Sequence, residues 1–225
     1  MAAGGTMSGR ITDIIGDYTD DAAYEEDLIN AAFNEVADML PDNLLIKYGR
    51  TPGVLTSASE WLVEDRKILK VTRIDADSSG VERDCKLLDR AQFASAKDAN
   101  SLHYATALSP VYEFDTLNAG AASLNIFPVP TTPQKGYIWY FAYATNSTNL
   151  TDIDSAELNT VYYMPPGIIH AIVLKSCINL LQTYISNFVQ DDEDIEMQQM
   201  LTAQLAGLTK DFQTEMQRFT GKQAE

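Results

Sequence analysis

The sequence predicts an α+β protein, a helical bundle built from an N-terminal helix and two C-terminal helices with a β-rich region inserted between them. Three observations predict it. Apolar residues recur at three- and four-residue steps near both ends of the chain. The middle is rich in β-branched and aromatic residues in short runs separated by Gly, Pro, Asn and Asp. The chain has 225 residues, 45% of them hydrophobic, enough for one substantial core.

The elements follow in order. Residues 1–10, MAAGGTMSGR, read as a flexible leader, with no apolar run of the kind a signal peptide carries. A single domain is then expected over 11–220, with 221–225 as a tail. Residues 11–48 are helical and acidic, with no Lys or Arg between Arg10 and Lys47. Tyr24, Leu28, Ala32, Phe33, Val36 and Leu40 form one apolar helix face. Asp20 or Asp21 suits its N-cap, and Glu25, Glu26 and Asp27 suit the positive end of its dipole. Pro41 stops it.

Residues 49–160 are expected to be strand-rich. WLVEDRKILKVTRID reads as a strand region, DADSSG as a turn, and VERDCKLL as the returning hairpin partner. DRAQFASAKDANS is a short helix or an irregular connector. VYEFD and SLNIFPVP read as strands broken at Asn118–Gly120. In GYIWYFAYA, Tyr137, Trp139, Phe141 and Tyr143 share one face and Ile138, Tyr140 and Ala142 the other. Both faces are apolar, which suits a strand covered on both sides.

Residues 164–220 read as two helices. Pro165 and Pro166 fit a first helical turn, where a missing N–H costs nothing. The apolar residues from Ile168 to Phe188 spread over a wide arc, as in a helix buried in a core. The run QDDEDIE interrupts. The last helix then carries Met197, Leu201, Leu205, Leu208, Phe212, Met216 and Phe219 in a narrow stripe. That stripe either folds back on the helix before it or reaches another subunit or protein. Left bare, its large side chains would cost about 1.5–3 kcal/mol each, so something must cover it.

The chemistry-bearing residues give little direction. Formal charge is −16, which argues against a protein that grips phosphates. Cys85 and Cys177 are far apart and show no disulfide or zinc spacing. His103 and His170 have no ligand or acid at motif spacing, so they read as a loop residue and a core or interface residue. No nucleophile elbow, zinc-protease helix or phosphate-binding glycine loop is present. Asp191, Asp192, Glu193, Asp194 and Glu196 lack the pattern of a calcium loop and read as a helix start. The aromatic strand lacks the interleaved Lys and Arg of a base-stacking platform. No run approaches the ~18 apolar residues of a membrane span. No catalytic residue, metal or cofactor is expected.

Several phrases together resemble the head-to-tail connector proteins of tailed bacteriophages, the portal adaptor or neck family. They are VADMLPDNLLIKYG (36–49), SLHYATALSPVYEF (101–114) with SLNIFPVPTTPQKGYIWYFAYAT (123–145), and the segment 164–219. In the last, a proline-led helix is followed by the break Glu193, Asp194, Ile195, Glu196 and a glutamine-rich final helix. The resemblance implies a structural, non-enzymatic virion protein. It would be made in the host bacterial cytoplasm and assembled at the neck into a homo-oligomeric ring, usually twelve-fold. It implies docking of the C-terminal helix on the portal protein, a next neck or tail protein below, and passage of double-stranded DNA without specific binding. Asp20, Asp21, Glu25, Glu26, Asp27, Asp191, Asp192, Glu193 and Asp194 are then candidates for an acidic lumen or rim, or else ordinary solubilising charge. A tail-terminator or tail-completion ring is the alternative, and a small hydrolase a further one.

Overall fold

The computed structural model describes the chain except residues 1–4, 17–21, 49–52, 57–60, 63–65, 77–79, 116–121, 146–147, 192–194 and 222–225. The side chains of 22–24, 61–62, 155, 187–191 and 195 lie outside the description as well. The class is α+β. The chain divides into two compact units where one domain was expected: residues 1–48 with 143–225, and residues 49–142.

The first unit is helical. Helix α1 (Met7–Ile15) starts inside the expected leader. Met7, Ile11 and Ile15 recur every fourth residue and are buried. The Thr6 hydroxyl caps the first turn through the Gly9 N–H. Gly16, at φ 78°, ends the helix by giving its N–H to the Thr12 carbonyl. The four-residue spacing was visible in the sequence, but the small residues around it masked it.

Helix α2 (Ala22–Met39) and the short α3 (Asp42–Tyr48) follow on either side of Pro41. Ala32, Phe33, Val36 and Leu40 are buried as expected, with Ile29 and Ala37 beside them, and Leu28 is half-buried. The acidic residues Asp20 and Asp21 and the side chain of Tyr24 lie outside the described residues.

Helix α6 (Ile169–Asp191) is the centre of this unit, and α1, α2 and α7 (Ile195–Thr220) all pack against it. From Ile169 to Leu181 only His170, Lys175 and Asn179 escape full burial. The Lys175 ammonium is not wasted, because it meets the Glu35 carboxylate of α2 at 2.6 Å. The two prolines precede α6 and do not form its first turn. Gly167, at φ 84°, turns the chain between Pro166 and the helix, a backbone region that favours glycine.

The β-rich zone ends at residue 142, not 160. Tyr143, Ala144, Thr145 and Thr148 are held to α2 by side chains one turn apart. Asn34 gives its amide to the Ala144 carbonyl at 2.9 Å and accepts the Ala144 N–H at 2.8 Å. Asn30 donates to the carbonyls of Thr145 and Thr148, and the Tyr143 hydroxyl donates to Asp38 at 2.5 Å. Helix α5 (Ser155–Thr160) follows, closed by a capping box of Asp154 and Glu157.

The second unit has two four-stranded sheets. One orders β1 (Gly53–Leu55), β8 (Gly136–Ala142), β3 (Arg66–Ile74) and β4 (Glu82–Asp84). The other orders β2 (Trp61–Leu62), β7 (Ser123–Phe127), β6 (Val111–Asp115) and β5 (Lys86–Leu87). The expected hairpin of β3 with β4 is present. So is the antiparallel pair β6–β7, though Asn118–Gly120 lie outside the described residues.

Strand β8 lies between β1 and β3, and of its two apolar faces Ile138 and Phe141 are buried while Tyr137, Trp139, Tyr140 and Ala142 are half-buried. Leu69 is an extra residue in β3 opposite Trp139 and Tyr140. Leu55, Val71 and Ile138 of one sheet meet Leu124 and Ile126 of the other in a shared core. The segment DRAQFASAKDANS resolves as helix α4 (Arg90–Lys97), capped by Asp89. It covers the far face of the second sheet through Phe93 and Ala96.

The β3–β4 hairpin is tied by Asp75, which accepts the Val81 N–H at 2.8 Å and the Arg83 guanidinium at 2.7 Å. Those donors, Arg83 first, hold its carboxyl below the ordinary value. A carboxyl lowered in the folded state adds stability above its unfolded pKa of about 3.9 and loses it as pH falls through the folded value. Asp75→Asn is therefore expected to melt below the unmodified chain at pH 7, with the gap closing as pH drops below that value. Melts recorded across the acid range check this, and a gap that does not change with pH contradicts it.

Candidate functional site

Two regions could carry function, and each lies within one unit. The first is helix α7. Leu201, Leu208, Phe212 and Met216 are buried, and Leu205 and Phe219 are half-buried. The stripe is covered by the chain itself, with α7 packed against α6. Of the two arrangements the pattern allowed, the helix adopts the fold-back. Met197 departs from the rest of the stripe, being exposed at 37% beside Met200 at 54%. A partner approaching α7 meets these two methionines and the helix's polar outer face. Removing 197–225 would strip α6 of one of its three covering helices, so substitutions on the outer face are the proper probe of docking.

The acidic candidates separate. Glu25 is half-buried and accepts the Ser8 hydroxyl at 2.8 Å, which links α1 to α2. Glu26 is half-buried, while Asp27 and Glu196 are exposed. The side chains of Asp191, Asp192, Glu193 and Asp194 lie outside the described residues.

What the linear pattern did not reveal is how unequally charge divides between the units. Residues 49–142 hold ten Lys and Arg against eleven Asp and Glu, a net of −1. The helical unit holds the remaining six against 21, a net of −15. One chain therefore offers two unlike surfaces.

The second region is a cavity of about 480 Å³ in the β unit, between α4, the β5–β6 edge and the loop 98–110. Leu88, Ala91, Ala105 and Val111 supply apolar lining. Lys86, His103, Tyr104 and Ser109 supply polar groups, together with Gln92 and Ser95 of α4. The Ser95 hydroxyl is engaged with the Ala91 carbonyl at 3.2 Å. Among the described residues, no carboxylate lines this cavity. His103 is a loop residue, as expected, but it faces a cavity that no sequence spacing announced. Its lining comes from residues 86–111, which become neighbours only because β5 pairs parallel to β6. His170 is half-buried in α6.

The loop beside the cavity is well tied. The Ala105 N–H donates to the Ala96 carbonyl at 3.0 Å, and turns close at Ser101–Tyr104 and Thr106–Ser109. These turns leave Leu102 fully exposed and Leu108 largely so.

Burial pushes both thiols up to about 12, so neither is a ready nucleophile at neutral pH. Among the described residues, no group of three or more His, Cys, Asp and Glu is placed to hold a metal ion. No helix among them is long and apolar enough to cross a membrane. Family models of known proteins give no match to the chain, and curated proteins give none either.

The two faces of α7 yield a contrast in stability. Leu201→Ala, at a fully buried site, is expected to cost about 2–5 kcal/mol. Met200→Ala, on the outer face, should stay within about 0.5 kcal/mol. Urea unfolding of both variants measures this, and equal losses would mean that α7 does not cover α6.

Proposed function

We propose that this chain is a structural subunit of a tailed-phage neck, forming with copies of itself a ring that joins the portal to the tail and lets DNA through. The observation that carries the reading is the segregation of charge, −15 on the helical unit against −1 on the β unit. A ring closes by heterologous contact, which requires two different patches on every subunit. An acidic unit also suits a conduit. Duplex DNA carries a charge every ~1.7 Å, and cationic walls would hold it rather than pass it.

The order of parts supports the same reading. Residues before and after the β unit return to form one helical unit, the arrangement that the connector resemblance implies. Docking on the portal then falls to the outer face of α7, and the chain's place is the neck of the virion.

Negative-stain imaging of the purified chain, alone and mixed with the portal protein of the phage that encodes it, tests the proposal. Rings seated on the tail side of the portal are expected, together with no retention of duplex DNA at low salt. Single subunits that ignore the portal, or tight salt-dependent DNA binding, would overturn it.

A further inference from the structure

The cavity of the β unit is built without spending its own polar side chains. Backbone bonds set its walls. The Lys86 N–H donates to the Pro110 carbonyl, the Ala105 N–H to the Ala96 carbonyl and the Ser109 N–H to the Thr106 carbonyl, each at 3.0 Å. The Tyr104 ring meets Phe127 edge-on, with centroids 6.0 Å apart. Lys86 of β5, Gln92 of α4, and His103 and Ser109 of the loop all line the space. Among the described residues, the polar side-chain atoms of these four have no partner. Walls held by the main chain, with polar groups left over, make a site that needs little reordering to take a ligand.

The lining specifies what would fit. Lys86 can only donate, and Gln92, His103 and Ser109 can each donate as well. Among the described residues no lining group is acceptor-only, because no carboxylate is present. The occupant must therefore bring the acceptor, and one ammonium matches one negative charge. Leu88, Ala105 and Val111 offer no hydrogen-bonding side chain, so the rest of the occupant must be apolar. A volume of about 480 Å³ falls within the ~300–1,000 Å³ of small-molecule sites.

We propose that this cavity binds a small carboxylate carried on an apolar body, such as a single aromatic ring. Lys86 takes the carboxylate with Ser109 and His103 as further donors. Leu88, Val111 and the Tyr104 ring take the body. A phosphate is the poorer occupant, since it is polar on every side and would leave the apolar wall facing water. The site is separate from the ring reading, which neither needs such a ligand nor supplies it.

Ligand-observed fluorine NMR tests the site on the full-length chain, whatever its state of assembly. The probe is para-fluorobenzoate, with para-fluorobenzamide as its uncharged counterpart. The benzoate signal should broaden on adding the chain and sharpen again when unlabelled benzoate is added in excess. The benzamide signal should stay narrow. Lys86→Gln is expected to weaken benzoate binding about tenfold, the loss of one hydrogen bond between charged groups. Lys210→Gln, an exposed lysine of the other unit, should leave it unchanged. Circular dichroism melts confirm that both variants are folded.

Binding that Lys86→Gln does not weaken, or that Lys210→Gln weakens as much, would overturn the proposal. So would equal binding of the benzamide, displacement by inorganic phosphate as effective as by benzoate, or no binding of benzoate at millimolar concentration. Each of those failures leaves the ring reading standing.

Discussion

The structure depends on covering helix α6. Between Ile169 and Leu181 it is apolar on nearly every side, and a helix of that kind has no face to give to water. Ser176 is accommodated there only because its hydroxyl donates to the Ile172 carbonyl one turn back, at 2.9 Å. At about 1.5–3 kcal/mol for each large apolar side chain, leaving even one flank of α6 bare would consume much of a domain's net stability. Three helices meet the demand, α1 and α2 from the start of the chain and α7 from its end. The helical unit is thus closed by residues more than a hundred positions apart, and the β unit sits in the sequence between them.

That requirement shapes what the surfaces can do. With its stripe turned to α6, α7 presents outward a polar face with two methionines near its start. The β unit buries its own core between two sheets and under α4, leaving the tied leucines and the cavity on its outside. Charge is partitioned along the same division. The near-neutral unit contains Lys70 paired with Asp84 at 2.8 Å and Arg83 paired with Asp75, so these two cations are matched locally. The helical unit has few cations to spend in that way. Charge is therefore divided between one near-neutral unit and one acidic unit.

Where periodicity determines structure, the sequence was readable. The burial of Ala32, Phe33, Val36 and Leu40, the pairs β3–β4 and β6–β7 and the two C-terminal helices all follow from local pattern. Helix α1 was hidden because Gly4, Gly5, Ser8 and Gly9 dilute the Met7–Ile11–Ile15 spacing, and its burial is decided by α6, far along the chain. The end of the β zone was misplaced because Asn30, Asn34 and Asp38 read as the polar side of a helix. Their task, holding Tyr143, Ala144, Thr145 and Thr148, exists only once the chain has returned. The cavity was illegible for a similar reason, since nothing in the spacing of Lys86, His103 and Ser109 reveals that β5 pairs parallel to β6. The C-terminal stripe was legible as an interface, but only packing could decide between cover and arm.

Helix α7 is part of the helical unit's core and not a detachable arm. Native-state hydrogen exchange, followed by mass spectrometry at increasing denaturant, measures that directly. Amides of α2, α6 and α7 should open together, with one shared dependence on denaturant. Exchange of α7 at far lower denaturant, with α6 still protected, would contradict the account.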